Sequence, residues 1–173
     1  MSQEKATIRS IEKKDKEQWL DLFSGPKSYL AFRKTVVDPE ILETTFDRFF
    51  NPNIPMNCFV AVDPKTEKLI GFGTYYTHYN ILSVKLTTYL SDLFVASDCR
   101  LGGTGKALIQ AVYDFADAND SDKVYWHTHF ENHRAQLLYI KVAKKAGFLV
   151  YRRPTAGELP DYDSENHPIA PGS

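Results

Sequence analysis

Apolar and polar residues alternate along the chain with two different periods, and each change of period predicts a change of secondary structure. Residues Ala6–Ile11 alternate like a short strand. After Asp15, which stands where a helix N-cap is expected, apolar residues recur at helical spacing, at Trp19, Leu20, Leu22 and Phe23. We expect next either a short helix or an aromatic loop around residues 29–32, and then a longer helix that opens at Asp38-Pro39.

Three strands are predicted in the middle of the chain. They lie at Cys58–Val62, Leu69–Tyr79 and Leu86–Val95, where apolar, aromatic and β-branched residues dominate. The polar segment Asp63–Glu67 predicts a hairpin loop between the first two strands. We expect the last two strands to be antiparallel neighbours, because only a short connection joins them.

Helices and strands then alternate to the end of the patterned region. We predict a helix at Thr104–Ala118, a strand at Lys123–Thr128, a helix at Asn132–Lys145 and a strand at Phe148–Arg152. This order predicts an α/β (α+β mixed) domain over residues 1–153, with helices on the faces of a mixed sheet. Residues 154–173 are rich in Pro, Gly, Asp and Glu, which predicts a flexible tail or an arm that lies on a partner.

The composition is that of an ordinary globular domain, and it argues against several function classes. The 173 residues are 43% hydrophobic, and 21 basic side chains oppose 22 acidic ones, which gives no footprint for nucleic-acid binding. No apolar run approaches the ~20 residues that span a membrane, and the polar first residues lack a signal-peptide core. Because Cys58 and Cys99 are the only cysteines, we expect a reduced compartment, the cytoplasm or alternatively the nucleus.

The strongest chemical signal is a glycine-rich segment, residues 100–106, between a predicted strand and a predicted helix. Glycines permit positive φ angles, and consecutive N–H groups beside a helix N-terminus form an anion site. The segment is not a Walker loop, because Ala107 follows Gly105-Lys106, and it lacks the third glycine of a dinucleotide fingerprint, because position 108 is Leu108. A phosphate site and a purely structural turn are both consistent with this loop alone.

A second motif lies one helix and one strand later, at Asn132-His-Arg-Ala135-Gln-Leu-Leu138-Tyr139. It resembles the Asn-x-x-Ala-x-x-Leu-Tyr helix of the GCN5-related N-acetyltransferase (GNAT) superfamily, at that family's distance after the glycine loop. The resemblance covers residues 6 to about 152. It implies the GNAT fold, with a mixed, mostly antiparallel central sheet of six to seven strands and helices on both faces.

Within the superfamily, the chain most resembles the fungal histone-type and D-amino-acid N-acetyltransferases, in Tyr125-Trp126 and in the Asn132 motif. Diamine acetyltransferases are similar in the strand that contains Asp92 and in the glycine loop. They carry a glutamate before that aspartate, where this chain has Ser91. One carboxylate that faces a polyamine is therefore missing, which weakens the polyamine interpretation.

The resemblance implies acetyl-CoA as co-substrate, a primary amine as acceptor, direct attack of the amine on the thioester, and no metal. Tyr139 is the candidate general acid for the leaving thiolate, since a phenol keeps its proton at neutral pH. Arg100 either pairs with a phosphate or fixes the loop. The candidate co-substrate residues are Leu93, Phe94, Val95, Arg100, Leu101, Gly102, Gly103, Thr104, Gly105, Lys106, Asn132, Arg134, Ala135 and Tyr139.

Asp92 is the candidate carboxylate for binding the amine or taking its proton, with no role as the alternative. An unperturbed carboxylate is a weak base at neutral pH, so we favour amine binding. His127 and His129 share a strand face, but a third metal ligand is not evident. The candidate acceptor-binding residues are Tyr29, Phe32, Tyr76, His78 and His127.

The chain is therefore expected to be an acetyl-CoA-dependent N-acetyltransferase (EC 2.3.1) that acts on a small-molecule amine such as an amino acid. The alternatives are a protein or histone lysine acetyltransferase, a polyamine acetyltransferase and a non-catalytic CoA-binding subunit. The intact Tyr139 and glycine loop favour catalysis. The architecture of the family implies a homodimer or a higher homo-oligomer.

Overall fold

The computed structural model describes residues 4–99 and 101–153, and its first unit, Met1–Ala143, contains a five-stranded sheet. Neighbouring strands are antiparallel except for the last pair, which is parallel. The prediction of a mixed, mostly antiparallel sheet is therefore confirmed. In order across the sheet, the strands are β1 (Thr7–Ser10), β2 (Met56–Val62), β3 (Leu69–Asn80), β4 (Ser83–Val95) and β5 (Val124–Tyr125).

Helices cover both faces of this sheet, as predicted. They are α1 (Lys16–Ser24), α2 (Tyr29–Phe32), α3 (Pro39–Arg48), α4 (Thr104–Ala118) and α5 (His133–Val142), and a 3₁₀ turn at Lys13–Asp15 precedes α1. On one face, Trp19 of α1 packs against Phe72 of β3, with ring centroids 6.1 Å apart. On the other face, Ile109 and Val112 of α4 pack with Tyr75 of β3. Side chains alternate along a strand, so Phe72 and Tyr75 point to opposite faces.

The predicted number of strands was too high, because the described residues form five strands instead of six to seven. The predicted strand Phe148–Arg152 is wrong. This segment belongs to the second unit, Lys144–Ser173, and it has no regular secondary structure. Apolar side chains meet only part of the requirement for a strand, since its backbone groups also need a hydrogen-bonded neighbour.

Two further elements are shorter than predicted. The strand expected at Lys123–Thr128 is reduced to β5, and the helix expected at Asn132–Lys145 ends at Val142. Ala143 has extended backbone with ψ 172°, which ends the helix. The predicted tail, residues 154–173, lies outside the described residues. Within the described part of the chain, no helix has both the length and the apolar composition needed to cross a membrane.

Asp15 connects β1 to α1 instead of capping α1 with its side chain. Its side chain makes no cap hydrogen bond to α1 and instead takes part in the capping box of the preceding 3₁₀ turn. Its carboxylate accepts two hydrogen bonds from Arg9, at 2.6 and 2.9 Å, and one from the Glu12 N–H at 2.8 Å. Burial alone raises the pKa of Asp15, but the hydrogen bonds and charge of Arg9 and the Glu12 N–H outweigh it, so the pKa lies below its ordinary value.

One extra residue interrupts the pairing of β3 with β4. Thr74 lies opposite Asp92 and the next residue, Tyr75, lies opposite Leu90, so Ser91 has no partner on β3. Such a β-bulge adds one residue to one strand and breaks the regular alternation of its side chains. The bulge falls within the strand that the sequence analysis assigned to the active site.

The bulge decides which side chains of β4 face α4 and which face the first helices. Leu90 and Leu93 both pack on the α4 face, although an odd number of positions separates them. Asp92 and Phe94 instead contact Tyr29 of α2 on the opposite face. Adjacent residues after the bulge therefore serve two different sides of the sheet.

Candidate active site

The edge of β4 that faces β5 is paired with that strand only near the middle of β4, and it has no neighbouring strand from Leu90 onward among the described residues. β5 pairs with β4 only at Thr88 and Tyr89. From Leu90 to Val95, no strand among the described residues lies on that edge. Backbone N–H and C=O groups on such an edge can pair with an extended, amide-containing ligand in the way an added strand does. Binding of a pantetheine arm by Leu93, Phe94 and Val95 stays a prediction, and the open edge is the feature it requires.

The glycine loop enters α4 through a residue in the left-handed region. Gly103 has φ 80° and occupies the N-cap position, and no heavy atom of the described residues lies within 4 Å of the place a Cβ would take. Its carbonyl accepts the hydrogen bond of the Ala107 N–H at 2.9 Å. The N–H groups of Thr104, Gly105 and Lys106 precede that bond, so they have no acceptor within the helix. Donors in this position are what the predicted anion site requires, and anion binding there stays a prediction.

Two residues of the loop also have clear structural roles. The buried Thr104 hydroxyl donates to the Leu101 carbonyl at 2.8 Å and closes the turn. A Cβ on Gly105 would lie 3.1 Å from Leu138 Cδ2 and 3.9 Å from Val95 Cγ2. Gly105 therefore lets the start of α4 approach both α5 and the end of β4. Gly102 and Lys106 are exposed, and Arg100 lies outside the described residues.

Thr128 links the two polar residues of the Asn132 motif. Asn132 stands at the N-cap position of α5, but its side-chain amide donates to Thr128 Oγ1, at 3.2 Å, and not to a helix N–H. The Thr128 side chain also lies near Tyr139, where its polar group lowers the pKa of the phenol. In the first turn of α5, Arg134 is exposed and Ala135 is half-buried.

Tyr139 is held in a partly buried aromatic environment. Its ring meets Trp126 edge-on, with centroids 5.3 Å apart, and it packs on the same cluster as Leu93. Burial raises the pKa of Tyr139, and the nearby Thr128 side chain lowers it by less, so the pKa lies above its ordinary value. The phenol therefore carries its proton throughout the neutral range, as a general acid must.

On the other face of the sheet, Asp92 is engaged by a tyrosine. The Tyr29 hydroxyl donates to Asp92 Oδ1 at 2.5 Å. The Tyr29 side chain is buried among Phe23, Phe72 and Phe94. Burial and the neighbouring Asp92 carboxylate together raise the pKa of Tyr29. This hydroxyl is therefore a fixed donor that orients the carboxylate.

Four rings on the face of Asp92 form an aromatic cluster, made of Tyr76, Tyr89, Tyr125 and His127. Tyr89 is central, with ring centroids 5.2 Å from Tyr76, 4.9 Å from Tyr125 and 5.5 Å from His127. His127 Nδ1 also lies 3.2 Å from the Tyr89 hydroxyl. The cluster gives this face an aromatic surface with several hydroxyl groups.

The predicted acceptor residues are mostly brought together. Tyr76 and His127 belong to the aromatic cluster, and His78 Nε2 lies 3.0 Å from the Tyr125 hydroxyl. Tyr29 contacts Asp92 on the same face of the sheet. Phe32 is 64% exposed, and among the described residues no ring contact joins it to the others.

Sequence reasoning missed Tyr89 and Tyr125, although a signal existed. Both residues fall in strand-like runs, and they pair directly across the parallel β4–β5 contact. Metal binding has no support at this site, because the described residues contain no group of three His, Cys, Asp or Glu side chains arranged as ligands. That the enzyme uses no metal stays a prediction.

Comparison with known proteins identifies the class of enzyme. The profile of the acetyltransferase (GNAT) family matches residues 16–148, which is more than half of the chain. The chain therefore belongs to the GNAT family, and it is an acetyl-CoA-dependent N-acetyltransferase. The resemblance recognised from the glycine loop and the Asn132 motif is confirmed.

Individual relatives narrow the comparison. The D-amino-acid N-acetyltransferase HPA3 of Saccharomyces cerevisiae is 40% identical over 153 residues, which cover 88% of this chain and 93% of the yeast protein. A solved structure of a probable acetyltransferase has a TM-score of 0.75 at 21% identity, covering 88% of this chain and 99% of its own. The ribosomal-protein-alanine N-acetyltransferase from Brucella melitensis biovar Abortus 2308 has a TM-score of 0.70 at 16% identity, covering 88% and 100%. At these identities, the two structures support the fold alone.

Proposed function

We propose that this enzyme acetylates the α-amino group of free amino acids, D-amino acids among them. The observation that carries the proposal is the position of Asp92. The bulge turns this carboxylate to the aromatic face, while its neighbour Leu93 faces the side of Tyr139. A cation-binding group thus stands beside the predicted site of the thioester. The 40% identity with a yeast D-amino-acid N-acetyltransferase supports the choice of acceptor.

The donor side uses backbone groups for most of its binding. Acetyl-CoA supplies the acetyl thioester when it is bound. The N–H groups of Thr104, Gly105 and Lys106 suit its phosphates, because they have no acceptor within the helix and lie at the positive end of the α4 dipole. The open edge at Leu93–Val95 suits its amide groups.

The acceptor side places the amine and removes its charge. Asp92 binds the ammonium form and, after proton loss to water, leaves the nitrogen lone pair facing the carbonyl carbon. The new N–C bond forms as the C–S bond breaks, and Tyr139 gives its proton to the departing thiolate. The acylated nitrogen then loses its extra proton to water, and a proton from water restores the Tyr139 phenol. A β4 N–H beside the bulge is suited to stabilise the negative charge that develops on the carbonyl oxygen. Holding the amine in place against the thioester carbonyl can lower the activation barrier by up to roughly 7–11 kcal/mol.

An acceptor screen tests the proposal. Released CoA would be measured with acetyl-CoA and, in parallel, D- and L-amino acids, spermidine and a lysine-containing histone peptide. We expect the highest kcat/KM with free amino acids. Turnover confined to spermidine or to the peptide would contradict the proposal and favour a polyamine or lysine acetyltransferase. Tight CoA binding without turnover of any amine would favour the non-catalytic alternative.

A further inference from the structure

Two opposite charges meet at one tyrosine hydroxyl on the acceptor face. The Tyr29 hydroxyl donates to Asp92 Oδ1 at 2.5 Å and accepts from Arg33 Nη1 at 3.0 Å. A tyrosine hydroxyl has one proton to donate and lone pairs to accept, so both bonds can form together. Arg33 and Asp92 are thereby fixed relative to one another with a single oxygen atom between them.

The position of Tyr29 between Arg33 and Asp92 is fixed by the packing of its ring. The Tyr29 ring is 8% exposed and meets Phe72 edge-on, with centroids 5.8 Å apart. The central carbon of the Arg33 guanidinium lies 5.6 Å from the centroid of the same ring. Because the guanidinium is already held by the Tyr29 hydroxyl, it loses less freedom when it binds a planar anion than an unheld arginine would.

Arg33 has binding capacity that the described residues leave unused. A guanidinium carries five N–H donors, and one of them is bound to Tyr29. No carboxylate among residues 4–99 and 101–153 lies within 4.0 Å of the Arg33 nitrogens. Asp92 contributes an attraction from further away. The exposed side of Arg33 is therefore a positioned cation without a contact ion pair in that part of the chain.

The negative partner is also incompletely used. Asp92 Oδ1 accepts the Tyr29 bond, and no described residue donates to Oδ2. The half-buried carboxylate thus presents one oxygen to the acceptor face. A polyamine or a lysine side chain offers positive charge alone, which suits Asp92 but opposes Arg33. An α-amino acid offers an ammonium group and a carboxylate on one carbon, which suits both.

We propose that Arg33, Tyr29 and Asp92 form a binding site for the zwitterionic end of an α-amino acid, in which Arg33 binds the α-carboxylate. The site rests on the proposed function and deepens it, because it makes a carboxylate next to the amine a requirement for an efficient acceptor. The planar fork of an arginine matches a carboxylate with two parallel hydrogen bonds. Asp92 receives the ammonium group before it loses its proton. The amino-acid side chain then lies toward the aromatic cluster.

The test compares two acceptors that differ only in the carboxylate, D-phenylalanine and D-phenylalaninamide. The wild-type enzyme should prefer the acid. In Arg33→Met, which keeps the stem and removes the guanidinium, the ratio of kcat/KM for acid over amide should fall by roughly 10- to 100-fold, the range for hydrogen bonds to a charged group. Differences in amine basicity cancel, because every protein is tested with the same pair.

Two further variants separate recognition from general electrostatics. Lys34→Met removes the same charge one residue away and should keep the wild-type ratio. Arg33→Lys keeps the positive charge but lacks the planar guanidinium. Its ratio of kcat/KM for acid over amide should therefore lie between those of wild type and Arg33→Met. An equal ratio for Lys34→Met and Arg33→Met would overturn the site, because net charge alone would then account for the preference.

The outcomes also distinguish this inference from the proposed function. If wild type turned over acid and amide with equal kcat/KM, acetylation of small amines would stand and the Arg33 site would be wrong. If Arg33→Met lowered both rates equally, Arg33 would be a support for Tyr29 only. If wild type used neither compound but acetylated spermidine or a lysine peptide, both the proposed function and the site would be wrong.

Discussion

Tyr139 is the residue that we expect to take part in the chemical step most directly. Its half-buried phenol has a pKa above the ordinary value, so it keeps its proton across the neutral range. Tyr139→Phe keeps the ring against Trp126 and removes the hydroxyl group that carries this proton. We expect kcat to fall by about 10²–10⁴-fold with little change in the affinity for acetyl-CoA, as measured by steady-state kinetics and calorimetry.

A second tyrosine gives a matched control for that experiment. Tyr113 packs on the same cluster, and its hydroxyl donates to the Val142 carbonyl at 3.0 Å. Tyr113→Phe should cost about 0.5–1.5 kcal/mol of stability and leave kcat near wild type. If Tyr139→Phe had the kcat of wild type, Tyr139 would contribute to packing and not to the chemical step.

Asp92 is expected to govern the acceptor and not the donor. An ammonium–carboxylate hydrogen bond contributes about 1.5–3 kcal/mol, so Asp92→Asn should raise the acceptor KM by roughly 10- to 100-fold. Acetyl-CoA affinity should stay nearly unchanged, because Asp92 and Leu93 face opposite sides of β4. The asparagine can still accept from Tyr29, so the fold is preserved.

The control for this prediction is Asp114→Asn on the exposed side of α4. Asp114 also accepts one hydrogen bond, from Gln110 at 2.9 Å, and it lies outside the predicted site. The acceptor KM of Asp114→Asn should equal that of wild type. A normal KM in Asp92→Asn with a shifted acidic limb of kcat/KM would instead place Asp92 in the path of the proton.

At the scale of single residues, the sequence predicted those candidate site residues that belong to a short, recognisable motif. Tyr139 and Asn132 belong to a spaced pattern, and Asp92 interrupts an apolar strand, so each could be picked out one residue at a time. Arg33 could not, because it follows a helix of only four residues and gains its meaning through Tyr29, which reaches Asp92 63 positions away in the chain. That contact exists only after folding.

At the scale of elements, the entry into α4 is the most sensitive turn. Gly103 has φ 80°, and no heavy atom of the described residues lies within 4 Å of the place its Cβ would take, so a β-branched side chain there would extend into the space proposed for the ligand. Gly103→Val should weaken CoA binding by about tenfold or more, since it blocks approach to charge-assisted N–H donors and strains the turn. Calorimetry with CoA measures the change.

Gly147 supplies the comparison, because it also has open space around it and has no positive φ. Gly147→Val should bind CoA as wild type does. Thermal unfolding of both variants checks that strain at position 103 has not unfolded the enzyme. If folded Gly103→Val bound CoA with the affinity of wild type, the glycine loop would not be part of the CoA site.

The elements themselves were predicted unequally, for a physical reason. The helix Thr104–Ala118 was predicted residue for residue, because a glycine start and a 3.6-residue apolar period are both local signals. The strand at Phe148–Arg152 was not formed, because a strand needs a partner that local pattern does not reveal. The bulge at Ser91 left no trace in the sequence, since a serine between Leu90 and Asp92 also fits a regular strand.

At the scale of the whole molecule, acid stability depends on the contact between Arg9 and Asp15. The pKa of Asp15 is lowered in the folded state, so its contribution to stability is complete above the unfolded value of ~3.9 and disappears as the pH falls through the folded pKa. Asp15→Asn should therefore cost about 1–3 kcal/mol at pH 7. The difference from wild type should shrink below pH ~3.9. Urea unfolding from pH 7 to pH 3 measures both effects.

The exposed pair Lys14–Glu12 provides the control. Its side chains are 71% and 48% exposed, and such pairs contribute at most about 1 kcal/mol. Lys14→Met should therefore change the free energy of unfolding little across the same pH range. A constant difference between Asp15→Asn and wild type down to pH 3 would show that the Asp15 charge does not titrate with folding.

The unpaired Ser91 also bears on how this enzyme can change over evolutionary time. Neighbouring residues of β4 face different sides, so we expect point mutations there to alter the proposed donor side or the proposed acceptor side separately. Deletion of Ser91 would remove the bulge and leave the other side chains of β4 on their present sides, because Leu90 and Asp92 already pair with consecutive residues of β3. Evolution can therefore reach new acceptors by substitutions around Asp92, and the loss of Ser91 is a change in strand length that keeps the two sides distinct.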